Sequence, residues 1–474
     1  MHATLVLLVV GLTPRLLGPH TPSLAALARG GGMRPMATIL PAVTCTVQST
    51  LLTGLMPRDH GIVANGWYFR DLSEVMLWRQ SNRLVTGEKL WEAAKRRDQS
   101  FTCAKMFWWH NMYASVDFSA TPRPVYLADG RKIPDHYTDP PELHDELDRL
   151  LGPFPLFNFW GPAADITSSR WIARATAHIL RTRRPTLTLC YLPHLDYGLQ
   201  KFGPDLTDIR LQRDLKEIDA VCGELIDAAR REGLRVIVVS EYGILPVSEA
   251  VHINRALREA GLLQVRMELG RENLDPGASA AFALADHQAA HVYLRPETDA
   301  AAVKLLLEGL DGVAEVLDGE GKRAAGLDHP RSGDLVAFAA PDRWFSYYWW
   351  LDDDRASDYA RTVDIHRKPG YDPMELFLDP AIRAPKLRIA QRLLQRRMGF
   401  RALLDVIPIR GTEMVKGSHG RLTPDPLDGP LVISDTPELL PAEGPVAATE
   451  FKALVLDHLF GRTAAASAAL DAAS

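Results

Sequence analysis

The chain has 474 residues, 46% of them hydrophobic and 24% charged, with a net charge of −5 at pH 7. That length can bury a large core and suggests two or three globular domains. The acidic balance argues against nucleic acid as the main partner, and the first apolar run, residues 5–10, is too short to cross a bilayer.

No Lys or Arg precedes that run and no clear small-residue cleavage site follows it. It reads as a buried first strand over residues 3–10, not as a secretory signal. Helical spacing then predicts helices over 21–29, 49–55 (continuing from Thr44), 88–97, 168–181 and 208–232. Apolar runs predict strands near 101–106, over 186–192 and over 235–240. This alternation implies an α/β fold, a mostly parallel sheet sandwiched by helices. Such sheets bind ligands beyond the C-terminal ends of their strands, and Thr44, Asp196 and Glu241 follow such runs. Strand, helix, strand, strand patterns over 291–294, 299–309, 313–317 and 334–339 predict a small α+β subdomain over 286–341. The core is then expected from 1–285 and 342–430, with a partly helical or disordered extension over 431–474. The four scattered cysteines form no CxxC pair, which fits reduced thiols and a cytoplasmic protein.

Residues 41–54, PAVTCTVQSTLLTG, crowd hydroxyls into a turn and a helix start. A helix N-terminus presents unpaired N–H groups and a positive dipole end, so it stabilises an anion such as a phosphoryl group. Thr44 is accordingly read as a candidate nucleophile, against the simpler reading of a helix cap.

The ordered motifs resemble the nucleotide pyrophosphatase/phosphodiesterase branch of the alkaline phosphatase superfamily. The nucleophile of that pattern falls on Thr44, three residues after Pro41. His60-Gly61-Ile62 leads to Asn65, the position of a phosphate-oxygen donor. The stretch Asp196 to Pro204 occupies the first metal motif, Ser240-Glu241-Tyr242-Gly243 the second, and Gly417-Ser418-His419-Gly420 the last. The resemblance spans residue 5 to about 422. It implies hydrolysis or transfer of a phosphate ester or diester by a Thr nucleophile activated by two zinc-like ions.

The family's ligands, besides the nucleophile, are three Asp and three His. This chain has Val10 where the first strand should end in Asp, Gln200 for one His, and Glu241-Tyr242 for the Asp-His pair. The expected metal set is therefore Asp196, Glu241, His419 and Gln200, holding one divalent ion, zinc above all, or none, in place of a full pair. Lys201, His366 and Arg367 are candidates to meet the phosphate of a small phosphorylated substrate directly. The alternative is a binding or scaffold protein that kept the pocket and lost hydrolysis. No membrane partner is expected, and the oligomeric state is left open. The Asp286, His287, His291 cluster reads as a structural network. The aromatic segments 107–113 and 345–350 are open between core packing and a stacking wall.

Overall fold

A computed structural model describes residues 1–128 and 131–462. The expected α/β architecture is present, as a nine-stranded, mostly parallel sheet. Its strands are β1 (Thr4–Val9), β2 (Gly32–Ala37), β3 (Cys103–Met106), β4 (Phe118–Pro122), β5 (His136–Asp139), β6 (Leu187–Leu192), β7 (Arg235–Val239), β12 (Leu431–Ser434) and β13 (Val446–Ala447). They lie in the order β13-β2-β12-β7-β1-β6-β3-β4-β5. A second, four-stranded sheet holds β8 (Ala281–Asp286), β9 (Ala289–Leu294), β10 (Val313–Leu317) and β11 (Leu335–Ala339) in the order β8-β9-β11-β10.

β1 sits at the centre of the large sheet, parallel to β6 on one side (Leu7 opposite Cys190) and to β7 on the other (Leu7 opposite Val238). Every residue of β1 and β6 is buried. This is why their Val and Leu run continuously and do not alternate with polar residues: a strand covered on both faces has no solvent side. The covering helices form two groups. On one side α1 (Pro22–Gly30), α5 (Ile166–Arg183), α6 (His194–Phe202) and α7 (Ile209–Arg231) pack together; elsewhere α2 (Thr44–Thr53) and α3 (Leu90–Arg97) meet α10 (Phe451–Phe460).

Two expected boundaries differ from the structure. Residues 431–460 are not an extension: β12 inserts antiparallel between β2 and β7, and α10 rests on α2. Leu431, Val432 and Ile433 are fully buried there, so this short apolar run is a central strand. The part of the expected extension over 463–474 lies outside the described residues. The subdomain is also wider than 286–341. A cut at 286 would split the β8–β9 hairpin, in which Asp286 faces Ala289. The second core draws on residues from Val247 to Val415, including Trp344, Phe345 and Tyr347 to Trp350, all fully buried. The 345–350 segment is thus core packing. Among the described residues, no helix is long and apolar enough to cross a membrane. All four cysteines are free and buried.

Candidate active site

Thr44 is the first residue of α2. Val43 before it is extended, and Gly54 ends the helix in a left-handed conformation with φ 74°. The whole helix is buried despite its hydroxyls, because most of them find internal partners. Ser49 donates to the Cys45 carbonyl and Thr53 to the Ser49 carbonyl, each at 2.7 Å, one turn back. Thr50 pairs with His60 Nε2 at 2.9 Å. The Thr44 hydroxyl alone points to the residues that follow β7: its Oγ1 lies 3.0 Å from the Tyr242 hydroxyl.

The loop after β7 is pinned by Ser240, whose hydroxyl donates to the Leu12 carbonyl at 2.6 Å, and by Thr38, which donates to the Glu241 carbonyl at 2.9 Å. This places Glu241 and Tyr242 beside α2. Gln48, one turn after Thr44 and therefore on the same helix face, donates to Glu241 Oε1 at 2.6 Å and accepts from the Trp109 N–H at 2.7 Å. Tyr242 lies flat on His419, ring centres 3.6 Å apart, and the stack continues through His287 (3.6 Å) to Tyr371 (3.7 Å). The His419 Nδ1–H donates to the Ala42 carbonyl at 2.7 Å, so the Nε2 lone pair is free. That atom stands 4.0 Å from Asp196 Oδ1. Both atoms are buried without a hydrogen-bond partner, as is Glu241 Oε2.

Burial sets the electrostatics. It pushes the Asp196 carboxyl up to about 7, against hydrogen bonds from Gln200 and Tyr242. It raises Glu241 well above the usual carboxylate range, against the Gln48 hydrogen bond and the nearby Thr44 and Tyr242 hydroxyls, with the Asp196 charge adding to the rise. It lowers His419 to about 3. A carboxylate out of water and short of donors favours its neutral form, and a buried imidazole loses its proton.

The expected site residues therefore divide. Thr44, Glu241, Asp196 and His419 converge. Asn65 is close but engaged: its Oδ1 accepts from the Cys45 N–H at 2.9 Å, and its Nδ2 donates to Asp286 Oδ1 at 3.0 Å. Gln200 is not arranged as a ligand. Its amide N–H donates to Asp196 Oδ2 at 2.7 Å, and its carbonyl accepts from Tyr371 at 2.8 Å. An ionised or hydrogen-bonding carboxylate demands the donor end of the amide, which turns the coordinating oxygen away. Lys201 lines a separate cleft of about 320 Å³ with Asp165, His194 and Asp214, apart from Thr44. Arg367 is exposed and pairs with Asp364 at 3.4 Å. His366 donates to the Leu77 carbonyl at 3.3 Å. None of these three reaches Thr44. His291, satisfied by the Val63 carbonyl and the Gly333 N–H, is the structural residue expected. Sequence reasoning missed Gln48, whose four-residue spacing from Thr44 was the available signal, and it missed Tyr371, for which the sequence carries none.

The donor set does not fit a pair of ions. Val10 is fully buried among apolar residues where a carboxylate would be required, and Tyr242 supplies a ring and a hydroxyl where an imidazole would be. Among the described residues, the groups of three or more potential ligands with atoms within 4.8 Å of one another are Asp135–His136–His144 and His194–Asp214–Glu217, neither at Thr44. What remains beside Thr44 is the pair of free atoms on Asp196 and His419, which fits one ion at most.

Among curated proteins, the chain is 27% identical over 240 residues to an uncharacterized pyrophosphatase/phosphodiesterase of Schizosaccharomyces pombe, covering 48% of this chain and 42% of that protein. The chain thus spans well under two thirds of that relative's length. Among solved structures it is similar to phosphonoacetate hydrolase from Sinorhizobium meliloti, with TM-score 0.61, 15% identity, and 97% of this chain and 96% of that chain covered. It is also similar to murine ectonucleotide pyrophosphatase/phosphodiesterase 5, solved as an inactive Thr→Ala variant with AMP, with TM-score 0.56, 15% identity, and 98% and 96% covered. Both likenesses are of fold. The type I phosphodiesterase/nucleotide pyrophosphatase family model matches residues 4–372, and the chain belongs to that family.

Proposed function

We propose that this chain cleaves a phosphodiester or pyrophosphate bond of a small phosphorylated substrate through Thr44 as covalent nucleophile. The observation that carries this reading is the Thr44 hydroxyl, held 3.0 Å from Tyr242 at the start of a buried helix, beside a carboxyl group with a free oxygen. Family membership and the AMP complex of the murine relative support the substrate class.

In the proposed reaction Thr44 Oγ1 attacks phosphorus. The new O–P bond forms as the P–O bond to the leaving group breaks. Tyr242 orients the hydroxyl, and Glu241 takes its proton when ionised, the form that burial disfavours near neutral pH, so the rate rises with pH. Gln48 fixes the other Glu241 oxygen, so the base does not rotate away. The leaving oxygen takes a proton from solvent water; a second water then attacks phosphorus and gives its proton to solvent, while Glu241 returns its proton to the departing Thr44 Oγ1. The Cys45 N–H is taken by Asn65, so the positive end of the α2 dipole and the Thr44 N–H are what meet the developing negative charge. A single divalent ion held by Asp196 and His419 would add Lewis-acid stabilisation of a phosphoryl oxygen.

Thr44→Ala abolishes turnover of a responsive diester such as a nitrophenyl nucleotide ester, and the wild type yields a trapped phosphothreonine peptide by mass spectrometry. Full turnover in Thr44→Ala overturns the reading. A second reading, a phosphate-ligand binder without hydrolysis, is favoured by Val10, Gln200 and Tyr242 at ligand positions. AMP binding without turnover across phosphodiesters would select it.

A further inference from the structure

We propose that the segment over residues 380–404, built around the helix Pro385–Arg397, lies on an anionic lipid surface and docks the chain to it. Among the described residues no helix is long and apolar enough to cross a bilayer, but lying on one needs only an apolar face fringed by cations. The inference does not depend on the chemistry of Thr44.

The helix is turned inside out. Arg388, Arg392 and Arg396, spaced four residues apart and therefore on one face, are half-buried. Arg388 and Arg392 both pair with Asp405, the latter at 3.0 Å, and Arg396 donates to the Ala402 carbonyl at 2.7 Å. Ile389, on the same side, packs against the second core. The opposite face carries Leu387, Leu394 and Met398, at the i, i+7, i+11 spacing of one helical stripe. These three are 70%, 56% and 59% exposed. Leu393 is exposed as well, as are Phe400 and Leu403 in the loop that follows. No residue of the helix is fully buried. A helix that met water alone would bury its leucines and expose its arginines. An apolar stripe left outward marks a surface that something else covers.

Charge identifies the cover. Residues 380–404 hold seven Lys and Arg and no Asp or Glu, in a chain whose net charge is −5. Three of the seven are the inward arginines. The other four, Arg383, Lys386, Arg397 and Arg401, are exposed, and none has a carboxylate partner among the described residues. Lys386 and Arg397, eleven residues apart, flank the stripe on the helix itself. A second copy seated face to face would set these cations against their own counterparts, and the repulsion would grow as water is excluded. An anionic bilayer takes both features at once. Its headgroups meet the four free cations, while the leucines and Met398 enter the boundary of the acyl chains.

The test is co-sedimentation of the full chain with vesicles of phosphatidylcholine, alone or mixed with phosphatidylserine, at low and high salt. Three variants accompany the wild type: Leu387→Asp with Leu394→Asp, Lys386→Gln with Arg397→Gln, and Ile209→Asp, an exposed apolar residue outside the segment. All the substituted side chains are exposed, so the variants fold, which circular dichroism checks. The wild type and Ile209→Asp are expected to pellet with the phosphatidylserine vesicles, to be released by high salt, and to stay in solution with phosphatidylcholine alone. The leucine pair loses the binding, and the cation pair weakens it by about tenfold or more. Failure of the wild type to pellet at low salt, equal binding to both vesicle types, or undiminished binding by the leucine pair overturns the proposal. If the wild type fails to pellet and instead forms a dimer that the leucine pair dissociates in sedimentation velocity, the face belongs to a second copy.

Discussion

At the residue scale, Tyr242 changes the meaning of the site. By sequence it is a departure from a ligand pattern. In the structure its hydroxyl touches the candidate nucleophile and its ring seals His419. Tyr242→Phe keeps the stack and removes the hydroxyl, so it isolates the orienting role. The expected result is a fall in kcat of about 10- to 100-fold, the scale of one misplaced proton-transfer partner, with KM little changed. An equal effect on KM alone would assign Tyr242 to substrate binding. The sequence made Thr44, Asp196, Glu241 and His419 legible because each follows a strand or opens a helix in a fixed order. It did not reveal the orientation of Gln200 or the distance to Lys201. Those depend on which end of an amide a neighbour demands and on which face of a helix a side chain leaves, neither of which the motif encodes.

At the element scale, α2 is a short buried helix whose length is set by its stop. Gly54 adopts φ 74°, and an added Cβ would lie 3.0 Å from the Thr449 carbonyl oxygen, just before α10. Gly54→Ala is therefore strained twice, in its backbone and against a backbone atom. It is expected to cost about 1–2 kcal/mol from the left-handed conformation alone, measured as a lower urea midpoint. Thr44 sits at the opposite end of the helix, so the rate per folded molecule should hold. The same helix shows where element-level reading succeeds. Its start at Thr44 and its stop at Gly54 carry local signals, whereas the place of β12 in the sheet does not. A four-residue apolar run near the end of a chain says nothing about which two strands it will separate.

At the scale of the whole molecule, one buried charge ties stability to pH. Lys105 lies on β3 with no exposed surface. Its ammonium donates to the Trp109 and His110 carbonyls at 2.9 and 2.8 Å, which holds the loop of the first aromatic segment against the sheet. That segment is buried through Trp109 and, with Gln48 on the Trp109 N–H, supports the site from below as packed core. Burial lowers the Lys105 pKa from 10.5 to about 7. In the unfolded chain the amine keeps its ordinary value, so between pH 7 and 10.5 the unfolded state binds the extra proton. The Lys105 contribution to stability must then rise with pH across that window, by at most about 1.4 kcal/mol per unit, and the slope vanishes below pH 7. Above about pH 9 the buried thiols act in the opposite sense: burial raises Cys103, so the folded state retains a proton that the unfolded chain releases. The range pH 7 to 8.5 avoids the thiols, but there Glu241, raised by burial, keeps a proton that the unfolded chain has lost and opposes Lys105. The test is therefore a difference: the urea midpoint should change more positively with pH in the wild type than in Lys105→Met, whose absolute stability also falls because two buried carbonyls lose their donor. Parallel pH profiles for the two proteins would show that Lys105 titrates alike in both states and that its charge is met in the folded chain.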